Sequence, residues 1–121
     1  MDVNWEGTTE AFVSYVAHWL RQKKLLLKDQ EPTIRLVRDY VARGILTKPE
    51  RRGKEVIFSY TQLVQFLACR ALTKDGWPLK KIADDFSKAS FSEILSIVPE
   101  SVPEDTAIGL INSFKKKMGS F

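Results

Sequence analysis

Pro32-Thr-Ile-Arg-Leu-Val-Arg-Asp-Tyr-Val-Ala-Arg-Gly-Ile-Leu46 runs without a break into Thr47-Lys-Pro-Glu-Arg-Arg-Gly-Lys-Glu-Val-Ile-Phe-Ser-Tyr60. The first run reads as a short helix with arginines on one face and the second as a basic hairpin. Pro32 suits a first helical turn, where its missing N–H costs nothing and its fixed φ is already helical. Ile34, Val37, Tyr40 and Val41 face inward at helical spacing, leaving Arg35, Arg38 and Asp39 on the opposite side. Gly44 is placed to end the helix, because it reaches left-handed dihedrals without a Cβ penalty. Ile45-Leu46 and Val56-Ile57-Phe58 are short β-favouring runs, and the polar segment between them, with Pro49 and Gly53, reads as the long tip of a small hairpin. Arg51, Arg52 and Lys54 would project from that tip.

The charge of the chain is concentrated in the same stretch. Residues 1–31 and 89–121 each sum to −1, whereas residues 32–88 hold twelve basic and six acidic side chains, a local charge of +6. Between Arg35 and Lys54, seven basic residues face two acidic ones. A local field of one sign is what a phosphate backbone responds to, through attraction and counterion release. A solvated lysine-rich loop is the bland alternative, and the predominance of arginine in this stretch weighs against it.

On the N-terminal side, Thr8 or Thr9 can cap a helix from about Glu10 to Lys24, with Ala11, Phe12, Tyr15, Val16 and Trp19 at spacings of three and four. On the C-terminal side, Ser59 is placed to cap a third helix from Tyr60 to about Thr73. This helix is apolar around most of its circumference and is expected to be central. Gly76 and Pro78 punctuate before a fourth helix near 78–88, where Lys80 and Lys81 either touch phosphate or are simply solvated. Ser90 or Ser92 can cap a short helix through Val98. A final helix near 104–117 ends in Lys115-Lys116-Lys117, a triplet that its own helix dipole explains.

At 121 residues and 44% hydrophobic content, the chain suits one globular domain. The expected organisation is an N-terminal helix over 1–31 packed on the domain, a DNA-binding core over 32–88, and short C-terminal helices over 89–121. A single cysteine, Cys69, and a single histidine, His18, argue against a disulfide framework and a zinc site, so neither metal nor cofactor is expected. The acidic N-terminus is unlike a signal peptide, and no apolar run reaches membrane-spanning length, which points to a cytoplasmic protein with no membrane partner; a DNA-binding core would make it nucleoid-associated. No nucleophile–base set, paired-carboxylate motif or phosphate-binding glycine loop is present, so an enzyme is not expected.

Residues 32–88 resemble the DNA-binding domain of the MerR family of bacterial transcription regulators. Val37-Arg-Asp-Tyr-Val-Ala-Arg-Gly-Ile-Leu46 is similar to the family's recognition-helix segment, and Pro49 through Phe58 to its wing. Ser59-Tyr-Thr-Gln-Leu63 resembles the start of the helix after the wing, and Gly76-Trp-Pro-Leu-Lys-Lys-Ile82 the opening of the next. The order of the four pieces carries the resemblance more than any one of them. It implies a mainly α fold with a small β-hairpin wing, a winged helix-turn-helix. It also implies a sequence-specific, homodimeric transcription regulator of double-stranded DNA.

The resemblance further implies that Arg38 contacts DNA from the recognition helix, that Tyr40 lies at the helix–DNA surface, and that Arg51, Arg52 and Lys54 grip the backbone. Arg35 would reach base edges and Arg43 a phosphate, with Thr33, Asp39 and Lys48 completing the expected contact set. Asp39 stands where the family has an aromatic, and would orient Arg35 or Arg43 or accept from a cytosine amine. Phe58 replaces the usual wing tyrosine, removing a hydroxyl that could bind phosphate. The N-terminal helix is longer than the family's, and its long dimerisation helix is absent. A DNA-binding architectural or adaptor protein, excisionase-like or of plasmid-maintenance type, is the alternative reading.

Overall fold

Helix α3 (Tyr60–Lys74) is the axis on which the other elements are assembled: every residue from Gln62 to Arg70 is buried. The computed structural model describes residues 1–26 and 30–100. In chain order the remaining elements are β1 (Glu6–Gly7), α1 (Thr9–Gln22), α2 (Ile34–Ala42), β2 (Glu50–Arg52), β3 (Glu55–Ser59), α4 (Leu79–Phe86) and α5 (Phe91–Ile97). The protein is thus mainly helical, with a small antiparallel sheet in the order β1-β3-β2. The proposed helix over 104–117 and its lysine triplet lie outside the described residues.

One hydrophobic core joins the elements. Phe12, Val16 and Leu20 of α1 meet Val37 and Tyr40 of α2, Phe58 of β3, the apolar residues of α3, Ile82 and Phe86 of α4 and Ile94 of α5. The N-terminal helix is therefore integral to the core that residues 32–88 help to build. Strand β1 was not anticipated from sequence. It is pinned by Trp5, whose ring stacks on Tyr15 at 4.3 Å between centroids, while Glu6 and Gly7 pair with Ser59 and Phe58.

Capping explains where the helices begin. Helix α1 starts after Thr8, whose hydroxyl accepts from Ala11 N–H. Helix α2 starts after Thr33, whose hydroxyl accepts from Leu36 N–H at 3.0 Å, so Pro32 precedes the helix instead of opening it. Ser90 and Glu93 exchange reciprocal bonds at the start of α5, a capping box.

Three helices end in the same way. After α2, Gly44 N–H donates to Val41 O and Ile45 N–H to Tyr40 O; after α3, Gly76 N–H donates to Thr73 O and Trp77 N–H to Leu72 O. After α1, Lys24 N–H donates to Arg21 O and Leu25 N–H to Leu20 O. These are Schellman ends, in which a residue of positive φ turns the chain back. Gly44 and Gly76 supply that residue at φ 81° and 92°, but at α1 it is Lys24, at φ 56°.

Three expectations are corrected by the packing. Ile45 and Leu46 are not a strand: both are 1% exposed, because the Schellman turn after α2 drives them into the core. The hairpin is consequently tighter than expected, with Arg52 opposite Glu55 and only Gly53 and Lys54 between them. Gly53 has φ 63° and Lys54 does not take a positive φ, as in a hairpin turn with glycine in the first central position. Phe58 is 2% exposed and stacked on Phe12 at 4.5 Å. It faces the core, so its lack of a hydroxyl removes no surface contact.

Candidate nucleic-acid interface

Helix α2 sorts its side chains by helical phase. Val37 and Tyr40 are buried, whereas Arg35 and Arg38, three residues apart on one face, are exposed. Neither arginine makes an ion pair among the described residues. Asp39 is committed to Arg43, one turn along, with Oδ2 accepting from Nε at 2.8 Å. That contact holds the Arg43 guanidinium above its ordinary pKa. Of the roles open to Asp39, the one seen is the intrahelical partner of Arg43. Thr33 is exposed at the head of the helix with its hydroxyl engaged in the cap.

Tyr40 is not at the surface. Its side chain is 4% exposed, 5.1 Å from Phe66 between ring centroids, and its hydroxyl lies against Cys69 and Arg70. Helical spacing placed Tyr40 inward and the family pattern placed it outward; the three-residue step from Val37 decides for the interior. Burial pushes the hydroxyl up to about 12, the Cys69 thiol adding to the effect and Arg70 opposing it.

The hairpin sorts its charges by pleat. Neighbouring residues of a strand point to opposite faces, and directly paired residues share a face. The pairings therefore place Glu6, Glu50, Arg52 and Glu55 on one face with Ile57 and Ser59, and Arg51 on the other with Val56 and Phe58. On the first face Arg52 is held by Glu6 at 2.6 Å and by Glu50 at 3.1 Å. Glu50 and then Glu6 hold the Arg52 guanidinium far above its usual pKa, and Arg52 in return holds Glu50 below the carboxylate range. Three carboxylates around one arginine leave that face acidic. Arg51, Lys54 at the turn and Lys48 before the strand are exposed and make no ion pair among the described residues.

The connection between α2 and the hairpin is fastened to α3 by two buried glutamines, which the sequence reading passed over. Gln65 Oε1 accepts from Thr47 N–H at 2.8 Å, and its Nε2 donates to Thr47 Oγ1 at 2.7 Å. Gln62 Nε2 donates to Thr47 O at 3.2 Å while its Oε1 accepts from Ser59 N–H at 2.9 Å. All the hydrogen-bonding groups of Thr47 are thereby used, and the chain enters β2 from a fixed point. The available signal was two glutamines three residues apart among the apolar residues of α3.

The central Cys69 is buried, and burial pushes its thiol up to about 11, the opposite of an activated thiolate. His18 is exposed, its ring edge-on to Trp19. Lys81 lies over the Trp77 ring, 4.9 Å from its centroid. Among the described residues, no group of three or more potential ligands could hold a metal ion, and no helix is long and apolar enough to cross a membrane. Comparison of the chain with family models, curated proteins and solved structures found no match.

Proposed function

We propose that the protein is a MerR-like winged-helix transcription regulator that binds double-stranded DNA, with α2 in the major groove and the β2–β3 hairpin as a wing against the flanking backbone. The observation that carries this reading is the pair Arg35 and Arg38, exposed on one face of α2 with no ion pair among the described residues. A helix presenting arginines in this way can offer bidentate donors to guanine edges. Lys48, Arg51 and Lys54 add cations whose natural counterpart is phosphate. Arg52 belongs to the scaffold, because Glu6 and Glu50 already neutralise it, and Tyr40 belongs to the core.

The reading includes a homodimer on a two-fold operator, with half-sites about 34 Å apart along one face of the duplex. Binding-site selection from random duplex, followed by titration of the selected sequence, tests it. Arg38→Ala is expected to weaken specific binding by about 1–3 kcal/mol and relax preference at one base pair. Arg51→Ala is expected to weaken all sequences alike, while Arg52→Ala leaves affinity nearly unchanged. Failure to enrich any sequence, or equal effects of Arg51→Ala and Arg52→Ala, contradicts the assignment.

A further inference from the structure

Arg70 is the one charged side chain buried in the core among the described residues, at 2% exposure. Its neighbours there are neutral: Nη1 donates to Gln30 O at 2.9 Å, the guanidinium lies 5.7 Å from the centre of the Phe66 ring, and the Tyr40 hydroxyl faces it. No carboxylate among the described residues pairs with it. Burying a guanidinium costs several kcal/mol unless an opposite charge accompanies it, and the Gln30 carbonyl and the Tyr40 hydroxyl, both neutral, engage only part of its fork of five N–H donors.

Arg70 lines a cavity of about 430 Å³ between α2 and α3, with Thr33, Leu36, Tyr40, Thr73 and Leu79 around it. That volume lies in the range of small-molecule sites, and an apolar wall with a few polar groups is their usual make-up. Glu31 also borders the cavity, but its carboxylate is 3.6 Å from Arg21 and largely exposed. We infer that this cavity binds a small organic acid, its carboxylate on the Arg70 guanidinium and its apolar body against Leu36 and Leu79. A planar carboxylate matches the fork of an arginine, and Leu36 and Leu79 offer nothing to the further oxygens of a phosphate. The site shares α2 with the proposed DNA surface through Thr33 and Leu36, but its charged group is Arg70 of α3, so it does not rest on Arg35 or Arg38.

The test is a ¹H–¹⁵N NMR titration of the full chain with sodium benzoate, benzyl alcohol and sodium phosphate in turn. Benzoate is expected to give saturable shifts at the Thr33, Leu36 and Thr73 amides and at the Arg70 Nε–H, with half-saturation at or below about 1 mM. Benzyl alcohol and phosphate are expected to give none. Thr73→Met, which fills the cavity and keeps Arg70, is expected to weaken benzoate at least tenfold in a chain whose spectrum remains folded. Absence of saturable benzoate shifts overturns the proposal, as does an equal response to the alcohol or indifference to Thr73→Met. Binding of phosphate in place of benzoate overturns the ligand class.

Discussion

Arg51 and Arg52 are adjacent in sequence and chemically identical, yet the pleat gives them opposite circumstances. Arg52 shares its face with three glutamates and is bound by two of them; Arg51 shares its face with Val56 and remains available. A count of basic residues treats the two as equal, because strand register is set by a turn that the sequence reading placed too broadly. Tyr40 teaches the reverse lesson: its helical phase was legible from Val37, and it overrides the family pattern.

Cys69 and Tyr40 give a pH prediction at this scale. Unfolded, the thiol ionises near 9 and the phenol near 10; folded, they do so near 11 and 12. The folded chain therefore holds protons that the unfolded chain releases, and stability falls as pH rises from about 9 to 12. Urea midpoints should be lower at pH 10.5 than at pH 8. Cys69→Ala should reduce that difference, even if the lost packing lowers both midpoints.

Among the elements, helix ends were the most legible feature. Gly44 and Gly76 stop α2 and α3 where expected, since a positive φ after a helix selects glycine. The end of α1 was expected near Lys24 and falls at Gln22, without a glycine to mark it, because the residue in the left-handed conformation is Lys24. Lys24→Gly should relieve about 1–2 kcal/mol of left-handed strain against roughly 0.5–1 kcal/mol of added chain entropy in the unfolded state. A rise in Tm of a few degrees is the expected outcome. Gly44→Ala should lower stability by about 1 kcal/mol; a Cβ there meets nothing within 4 Å, so the loss comes from the backbone alone.

The hairpin was legible as an element but not in its attachment. Its basic residues and Gly53 announce it, whereas the clamp on Thr47 depends on Gln62 and Gln65 lying on one side of α3 across 15 to 18 residues of chain. Long-range polar contacts of this kind have no local periodicity to reveal them. Gln65→Ala removes the acceptor of the part-buried Thr47 N–H bond, at a cost of about 1 kcal/mol. Hydrogen exchange at Thr47 should accelerate in that variant more than at residues within α1.

For the whole molecule, the sequence supports a mainly helical fold with a small sheet and an N-terminal helix packed on it, and the structure adds the strand β1. The basic excess of residues 32–88 does not become a uniform surface. Ion pairs consume Arg43 and Arg52, burial removes Arg70, and the cations of the proposed interface reduce to Arg35, Arg38, Lys48, Arg51 and Lys54. This predicts an electrostatic contribution set by five side chains per copy.

The most direct measurement of that claim is the salt dependence of binding to a selected duplex. Each phosphate contact contributes about −0.9 to the slope of log K against log[salt]. Wild-type protein should show a steep negative slope, which becomes shallower by about 0.9 per bound copy in Lys54→Ala or Arg51→Ala and stays unchanged in Arg52→Ala. A slope near zero for the wild type, or one that Lys54→Ala and Arg51→Ala leave untouched, would contradict the proposed DNA-binding surface.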